Sequence, residues 1–280
     1  MSATRLAERP VTRIRPSKGW FDLALPEVWR HRELLWQLML RELKIRYKQA
    51  ALGVTWAILQ PLLPVVVFTV IFGGFARFPS GGMPYSVFSL AGVLPWTYFA
   101  EALRRSATGL VTNSELVRKV YFPRLAIPLA GVASPIVDFG FGLLLLFPLM
   151  AWYGMAPTWS LLTLPLWMLL TLAFALALGL WLGPLNVRYR DIMHTLPFVI
   201  QIWMYATPIV YPLSMVPEKW RSVYSLNPMV GIIEGFRWSL LGTGHPDMRA
   251  VSIAIALITI ALLGGLIYFR KVERSFADVI

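Results

Sequence analysis

The chain has 280 residues, of which 57% are hydrophobic and only 14% are charged, and it carries a net charge of +12 and no cysteine. A soluble domain has about 25% charged residues, so the composition excludes an ordinary soluble enzyme and indicates an integral membrane protein. The lack of cysteine excludes disulfides, thiol catalysis and Cys-ligated zinc. In a membrane protein the location of basic residues matters more than their total, so we expect no nucleic-acid partner.

The first 50 residues divide into two predicted parts. Residues 1–26 are basic, contain proline and lack periodicity, which indicates a flexible cytosolic arm rather than a signal peptide. Residues 27–50 place polar and apolar side chains on opposite faces of a helix, which indicates an amphipathic helix on the bilayer surface. A soluble-type helix packed on the protein is the alternative. The polar stripe is Arg30, Glu33, Gln37, Arg41, Lys44 and Lys48, and the apolar face is Leu35, Trp36, Met39, Leu40, Leu43 and Tyr47.

Residues 51–280 form the predicted transmembrane domain, which we expect to be all-α. Because about 20 apolar residues cross the hydrocarbon core, six segments qualify as spans. Prolines lie inside several of them, where neighbouring helices can satisfy the freed carbonyls. The spans cover about 53–76, 84–103, 125–153, 159–183, 194–214 and 250–269.

The basic residues predict the orientation of these spans. Of the 26 Lys and Arg residues, 21 lie in the N-terminal region, the second-to-third and fourth-to-fifth loops, and the C-terminal tail. Basic loops stay in the cytosol, so we expect a multi-pass protein of the cytoplasmic (inner) membrane with both termini cytosolic.

Residues 222–242, "SVYSLNPMVGIIEGFRWSLLG", are apolar enough to suggest a seventh span. However, Asn227 and Pro228 interrupt the run, and Glu234 and Arg237 place an i,i+3 charge pair in it. A seventh crossing would also move the basic tail outside. We therefore expect short re-entrant helices in the outer half of the membrane, which would border a transport pathway.

The loop "NSELVRKVYFPRLAIP" between the second and third spans predicts a short helix over about residues 113–122. Asn113 or Ser114 would be its N-cap, an acid follows in the first turn, and Pro123 ends it. Its cations and aromatic residues suit insertion into a groove on another protein. Contact with anionic lipid is the alternative, but that would need only the cations.

Motifs for chemistry within this chain are few. It has no G-x-x-x-x-G-K-[ST] phosphate loop, and its three histidines are scattered, so we expect no catalytic residue, cofactor or metal site. The acids in the spans are Glu101, at the inner end of the second, and Asp138, in the third. We expect Asp138 to form a helix-to-helix hydrogen bond, with a proton relay as the alternative.

Several stretches together resemble one family. "LVRKVYFPRLAIPLAGV" is similar to the coupling-helix segment in membrane subunits of ABC-type polysaccharide exporters, which move O-antigen, capsular polysaccharide or wall teichoic acid. The stretches "ELKIRYKQAALGVTWAILQPLL", "NVRYRDIMHTLPFVIQIWMYATPIVYP" and "LNPMVGIIEGFRWSLLG" and the tail "RKVERSFADVI" match too. The resemblance covers residues 33–280.

This resemblance implies a homodimer of six-span subunits joined to two copies of a separate ATPase, which would bind the ATP and Mg. The substrate would be a lipid-linked polysaccharide in contact with membrane lipid. Arg190 and Asp191 would lie at the inner end of the fifth span, and the outer gate would contain Asn227, Pro228, Glu234 and Arg237. The residues in contact with the ATPase would be Glu115, Leu116, Arg118, Lys119, Val120 and Tyr121.

A sugar polymer needs a hydrated lane with aromatic faces against which sugar rings can stack. Aromatic residues recur on the first span and lie along the fifth, and helix packing or lipid contact is the alternative role for each. The channel candidates are Phe68, Phe72, Phe75, Trp203, Tyr205 and Tyr211.

Other functions predict features that this sequence lacks. A proton-coupled transporter would have paired intramembrane ionisable groups and an internal repeat. An intramembrane transferase would have a His/Asp or paired-carboxylate constellation near one membrane face. An ABC exporter of another lipid-linked or amphipathic substrate is not distinguished by these motifs.

Overall fold

The computed structural model describes residues 25–48, 55–273 and 276. Nearly all of the predicted N-terminal arm lies outside these residues. The described residues are predominantly helical and contain no β-strand. The helices are α1 (Leu25–Arg30), α2 (Arg32–Lys48), α3 (Thr55–Phe68), α4 (Tyr85–Thr112), α5 (Ser114–Lys119), α6 (Ala126–Ala133), α7 (Ile136–Trp152), α8 (Leu164–Arg188), α9 (Asp191–Tyr205), α10 (Glu218–Tyr224), α11 (Pro228–Leu241) and α12 (Met248–Val272).

Three shorter helical stretches complete these elements. A π-helix, Thr69–Phe75, continues α3, which contains two prolines, and 3-10 turns occupy Trp159–Thr163 before α8 and Leu213–Met215 before α10. Ser134 and Pro135 separate α6 from α7, as expected where a proline removes a helical hydrogen bond.

Four described helical stretches are long and apolar enough to cross a membrane, judged by length and composition. They correspond to the predicted first, third, fourth and sixth spans. They are Ile58–Phe75, Ala126–Trp152, Trp159–Arg188 and Met248–Val272.

The predicted second and fifth spans do not meet this criterion, for different reasons. Helix α4 is long enough, with 28 residues, but its composition is not apolar enough. It is the central helix, and most of its side chains are buried by other helices. A helix surrounded by protein does not need a fully apolar surface, so α4 retains Glu101 and several hydroxyl residues. Helix α9 corresponds to the fifth span and has only 15 residues.

The core forms around α4. It packs against α3, α6, α7, α8 and α11, while α12 packs against α8 and α11. Helices α4 and α8 approach closely, since a Cβ atom at Gly179 would lie 2.0 Å from Ser106 Oγ. Small residues at such crossings let helix backbones approach within van der Waals contact in membrane bundles.

Side-chain contacts define two ends of the bundle. At the first, the basic end, Arg41 Nη1 of α2 lies 3.0 Å from Asn113 Oδ1 after α4. At the opposite end, Ser160 Oγ donates to Ser239 O at 3.1 Å. Gly242 ends α11 there with φ +67, where a Cβ would meet Thr158 Oγ1 at 2.4 Å, so both conformation and space require glycine.

The segment predicted as one amphipathic helix contains α1 and α2, with a turn at His31 between them. All six residues of the predicted polar stripe are exposed. Trp36 and Ile45 are also exposed, by 54% and 62%, whereas Leu38 is buried. Helix α2 thus packs on the bundle along one side and leaves apolar side chains open beside its charged stripe.

Candidate docking helix and transport elements

The predicted coupling segment forms helix α5, which lies at the basic end. Glu115 and Lys119 form an i,i+4 ion pair of 2.5 Å and are 70% and 74% exposed. Arg118, Val120 and Tyr121 are also exposed, and Leu116 is half-buried. We call Glu115, Arg118, Lys119, Val120 and Tyr121 the docking surface. Of these residues, Arg118 and Tyr121 are of types enriched in protein interfaces.

The start of α5 differs from the predicted cap. Asn113 occupies the N-cap position, but its side chain makes no capping bond. Instead, its Nδ2 donates to Gly109 O at 2.9 Å, and its Oδ1 accepts from Arg41 of α2. The amide therefore joins α2 to the junction of α4 and α5, which the local sequence pattern did not predict.

The inner face of the same loop is packed against the bundle. Val117 and Phe122 are buried, so Phe122, one of the two aromatic residues of the predicted docking segment, contacts the protein's own core and is not available to a partner. Arg124 Nη1 donates to Glu273 O, and its guanidinium lies 5.8 Å from the ring centroid of the buried Phe276. The C-terminal segment thus holds the loop that follows the docking surface.

A polar network joins α2 to the third predicted span. Asp138 of α7 accepts hydrogen bonds from Arg46 and from the Tyr47 hydroxyl. The predicted helix-to-helix bond at Asp138 is therefore present. Arg46 Nη2 also donates to Gln60 of α3 at 3.0 Å. Burial first, and the Asp138 carboxylate second, raise the pKa of Tyr47, so its hydroxyl remains a donor at neutral pH.

A second part of this network joins α2 to α4. Glu42 accepts from Arg105 Nη1 at 3.1 Å and from Ser134 Oγ at 2.7 Å. Arg105 Nε also bonds Glu101, at 2.7 Å, and Arg104 makes two bonds to the same carboxylate. Apart from Arg104, which is 46% exposed, these charges are largely shielded and mutually paired, so they fix α2 relative to α4 and α6.

The turn that follows α9 is held by three side chains at the opposite end. Arg237 of α11 donates to Pro208 O at 2.8 Å and to Ile209 O. The Tyr85 hydroxyl donates to Val210 O. Asn227 Nδ2 donates to Thr207 Oγ1 at 3.0 Å. Side chains from α4 and from α11 with its N-cap therefore bond to four successive residues, 207–210, in the irregular segment after α9.

The predicted gate residues have distinct positions within this arrangement. The Asn227 side chain accepts from Met229 N at 3.1 Å as the N-cap of α11, and Pro228 is the first residue of that helix. Both hydrogen bonds of Arg237 go to backbone carbonyls, and its guanidinium lies 3.8 Å from the ring centroid of Phe88. The predicted i,i+3 partner, Glu234, lines a cavity beside Arg237.

The six aromatic channel candidates divide between the interior and the surface. Phe68 is buried, and its ring centroid lies 5.8 Å from that of the half-buried Phe72. Trp203 packs against three rings of α4 and α8. In contrast, Phe75 and Tyr205 are 81% and 53% exposed. Tyr211 is half-buried, and its hydroxyl donates to Tyr205 O at 3.2 Å.

Arg190 and Asp191 lie at the start of α9, beside the end of α8. Arg190 is at the N-cap position, and Asp191 places a carboxylate in the first turn, where it complements the helix dipole. Both side chains are exposed. They belong to the end of the bundle predicted to face the cytosol.

Four helical stretches apolar enough to cross a membrane, packed with the buried helix α4, are typical of a multi-pass membrane protein. A family model described as ABC-2 type transporter matches residues 33–241. The chain belongs to this family.

Relatives with related names match nearly the whole chain. The O-antigen export system permease protein RfbA of Myxococcus xanthus is 32% identical over 256 residues, which cover 91% of this chain and 98% of the relative. A protein of the same name from Klebsiella pneumoniae is 29% identical, covering 89% and 95%. The polysialic acid transport protein KpsM of Escherichia coli is 25% identical, covering 85% and 93%.

Proposed function

We propose that this chain is the membrane subunit of an ATP-driven exporter that moves a lipid-linked polysaccharide, such as an O-antigen, across the cytoplasmic membrane. The observation that carries the proposal is the near full-length similarity to permeases named for O-antigen export. The relative named for polysialic acid transport supports a polysaccharide as the substrate class.

The working assembly in this proposal contains two copies of the chain and two copies of a separate ATPase subunit. ATP and Mg bind to the ATPase, whose movement reaches the permease through the docking surface on α5. The exposure of that surface supports this arrangement, because five neighbouring side chains remain available to a partner.

Each copy in the proposed assembly crosses the membrane six times, with both termini in the cytosol. Helix α4 supplies the second crossing, and α9 together with the turn that follows it supplies the fifth, in addition to the four apolar stretches. The break at Asn227 supports a re-entrant arrangement of α10 and α11, because it divides the segment into two helices too short to span the hydrocarbon core.

The proposed lane for the sugar polymer lies between the two copies. Phe75 and Tyr205 support this location, because their exposed rings are free to contact a substrate or a second subunit. Helix α9 adds exposed apolar side chains at Phe198, Val199 and Ile202.

A deletion strain tests this function. Cells that lack the gene should accumulate the lipid-linked polysaccharide on the cytosolic face of the membrane and lose it from the surface, and the wild-type chain should restore surface polymer. A variant of the partner ATPase without ATP hydrolysis should reproduce the deletion. Normal surface polysaccharide in the deletion strain would contradict the proposal.

A further inference from the structure

A cavity of about 320 Å³ opens at the end of the bundle opposite the docking helix. Three separate segments form it: the loop after the π-helix, the turn after α9, and α10 with its preceding 3-10 turn. Its volume falls at the lower end of the range for small-molecule sites. The lining residues are Phe78, Tyr211, Met215, Val216, Pro217, Trp220 and Tyr224.

The lining combines aromatic faces with a pair of hydroxyl groups. Four of the seven lining side chains are aromatic, and Trp220 is 52% exposed at the rim. The Tyr211 and Tyr224 hydroxyls lie 3.2 Å apart. Because Tyr211 donates to Tyr205 O, Tyr224 is the donor within this pair, and both oxygens keep acceptor capacity for a ligand.

The walls are fixed by hydrogen bonds to the backbone. Phe78 N donates to Phe72 O at 2.7 Å, and the two rings lie 5.2 Å apart. On the other side, Arg221 Nε donates to Val216 O at 3.1 Å. The cavity is thus supported in the single chain, as expected of a preformed site.

The chemistry of the lining favours one class of ligand. None of the seven lining residues in this described region is charged, which disfavours a phosphate or another anion. An alkyl chain would leave the paired hydroxyls facing a group that cannot hydrogen-bond. A sugar ring satisfies both features, because its C–H face stacks on an aromatic ring while its hydroxyl edge bonds to tyrosine.

We propose that this cavity is an exit-side subsite that binds one sugar ring of the exported polymer, with Trp220 as the stacking platform. Tyr224 and Tyr211 bond to the hydroxyl edge of that ring. The proposal rests on the proposed export function, and it adds residues to the predicted channel set, from which only Tyr211 was expected. Binding here would hold the emerging chain on the outer side and reduce its backward movement.

The test uses the permease–ATPase complex purified in detergent. The probes are maltohexaose and oligosaccharides cut from the source cells' own surface polysaccharide. Saturation-transfer NMR, with irradiation of the aromatic protons, detects sugar bound against these rings. We expect transfer to the native oligosaccharide in the wild type and at least about fivefold weaker affinity in Trp220→Ala. Tyr224→Phe, which removes only a hydroxyl, should weaken binding to a smaller extent.

Trp159→Ala is the matched control, because Trp159 lies at the same end of the bundle and is 87% exposed but does not line the cavity. It should bind sugar like the wild type. Equal affinities in Trp220→Ala and the wild type would overturn the proposal. Farnesol, an isoprenoid alcohol, serves as a probe for a lipid tail. If Trp220→Ala lost farnesol binding but kept sugar binding, the cavity would bind a lipid tail and the proposal would be overturned.

Surface polymer measured in cells separates this inference from the export function. If the chain is not a polysaccharide exporter, its deletion leaves surface polymer unchanged. If only the subsite is wrong, the wild type restores the polymer in a deletion strain and Trp220→Ala restores it equally well. The proposal predicts reduced surface polymer in Trp220→Ala and wild-type levels in Trp159→Ala.

Discussion

Replacement of Arg237 by methionine tests whether this side chain holds the turn after α9. The Arg237 side chain is 6% exposed and bonds the carbonyls of Pro208 and Ile209. Methionine would leave both carbonyls without these donors, at a cost of about 1–3 kcal/mol each. It would also lose the cation–π contact with Phe88, worth about 2 kcal/mol when desolvated.

Part of this loss is offset, because methionine removes a buried charge whose desolvation opposes folding. We therefore expect a net destabilisation of about 3 kcal/mol, which corresponds to a fall in Tm of roughly 5 °C for a chain of this size. Thermal unfolding in detergent, followed by intrinsic tryptophan fluorescence, measures the shift.

Arg221 provides the matched control for this substitution. It also donates to two backbone carbonyls, of Val216 and Ser214, but its side chain is 43% exposed. Water can replace a bond at that exposure, so Arg221→Met should cost less than about 1 kcal/mol. Equal shifts in Tm for the two variants would show that burial does not make the Arg237 hydrogen bonds contribute more to stability than those of Arg221.

Three further results are expected. Asp138→Asn should lower the free energy of unfolding by about 2 kcal/mol. Each side chain of the Arg46–Asp138 pair is only 17% exposed, so the substitution leaves the Arg46 charge shielded from water without its partner. A double-mutant cycle with Arg46→Met that gives no coupling would contradict this pairing. Reporter fusions after Lys119 and after Ile280 should both report the cytosol, and an external C-terminus would exclude the six-span arrangement. The purified chain alone should hydrolyse no ATP, since its sequence has no phosphate loop, and turnover in a preparation free of other ATPases would disprove this.

Local sequence patterns indicate where two of the short helices begin or end. The "NSEL" start and Pro123 bracket α5, and the Asn227–Pro228 pair marks the start of α11. Four predicted spans correspond to apolar helical stretches. These features depend on the hydropathy of consecutive residues and on proline geometry, both of which can be read without knowledge of the tertiary fold.

The contacts that position the candidate site are tertiary, and local periodicity does not encode them. Arg46 and Asp138 are 92 residues apart, and Arg105 and Glu42 are 63 residues apart. Glu42 and Arg46 were absent from the predicted polar stripe because helical periodicity places them away from it, on the side of α2 that packs against protein. The same limit explains Phe122, whose position beside Tyr121 gave no indication that only one of the two rings is buried.

Whether α5 couples the permease to its ATPase is tested by co-purifying the two subunits from detergent, with the wild type compared with Arg118→Glu/Lys119→Glu. Both side chains belong to the docking surface and lie outside every predicted span, so the bundle should remain folded. Each lost charge-assisted contact is worth roughly 1.5–3 kcal/mol, which together weaken association by well over tenfold.

The matched control reverses two exposed cations at the opposite end of the bundle, Lys219→Glu/Arg249→Glu, and should leave the complex intact. If α5 only contacts anionic lipid, the docking variant keeps its ATPase, and a cation introduced nearby restores its export. If α5 is the coupling element, the docking variant loses both the ATPase and polysaccharide export. Undiminished recovery of the ATPase together with unaltered export would show that α5 is not the coupling element.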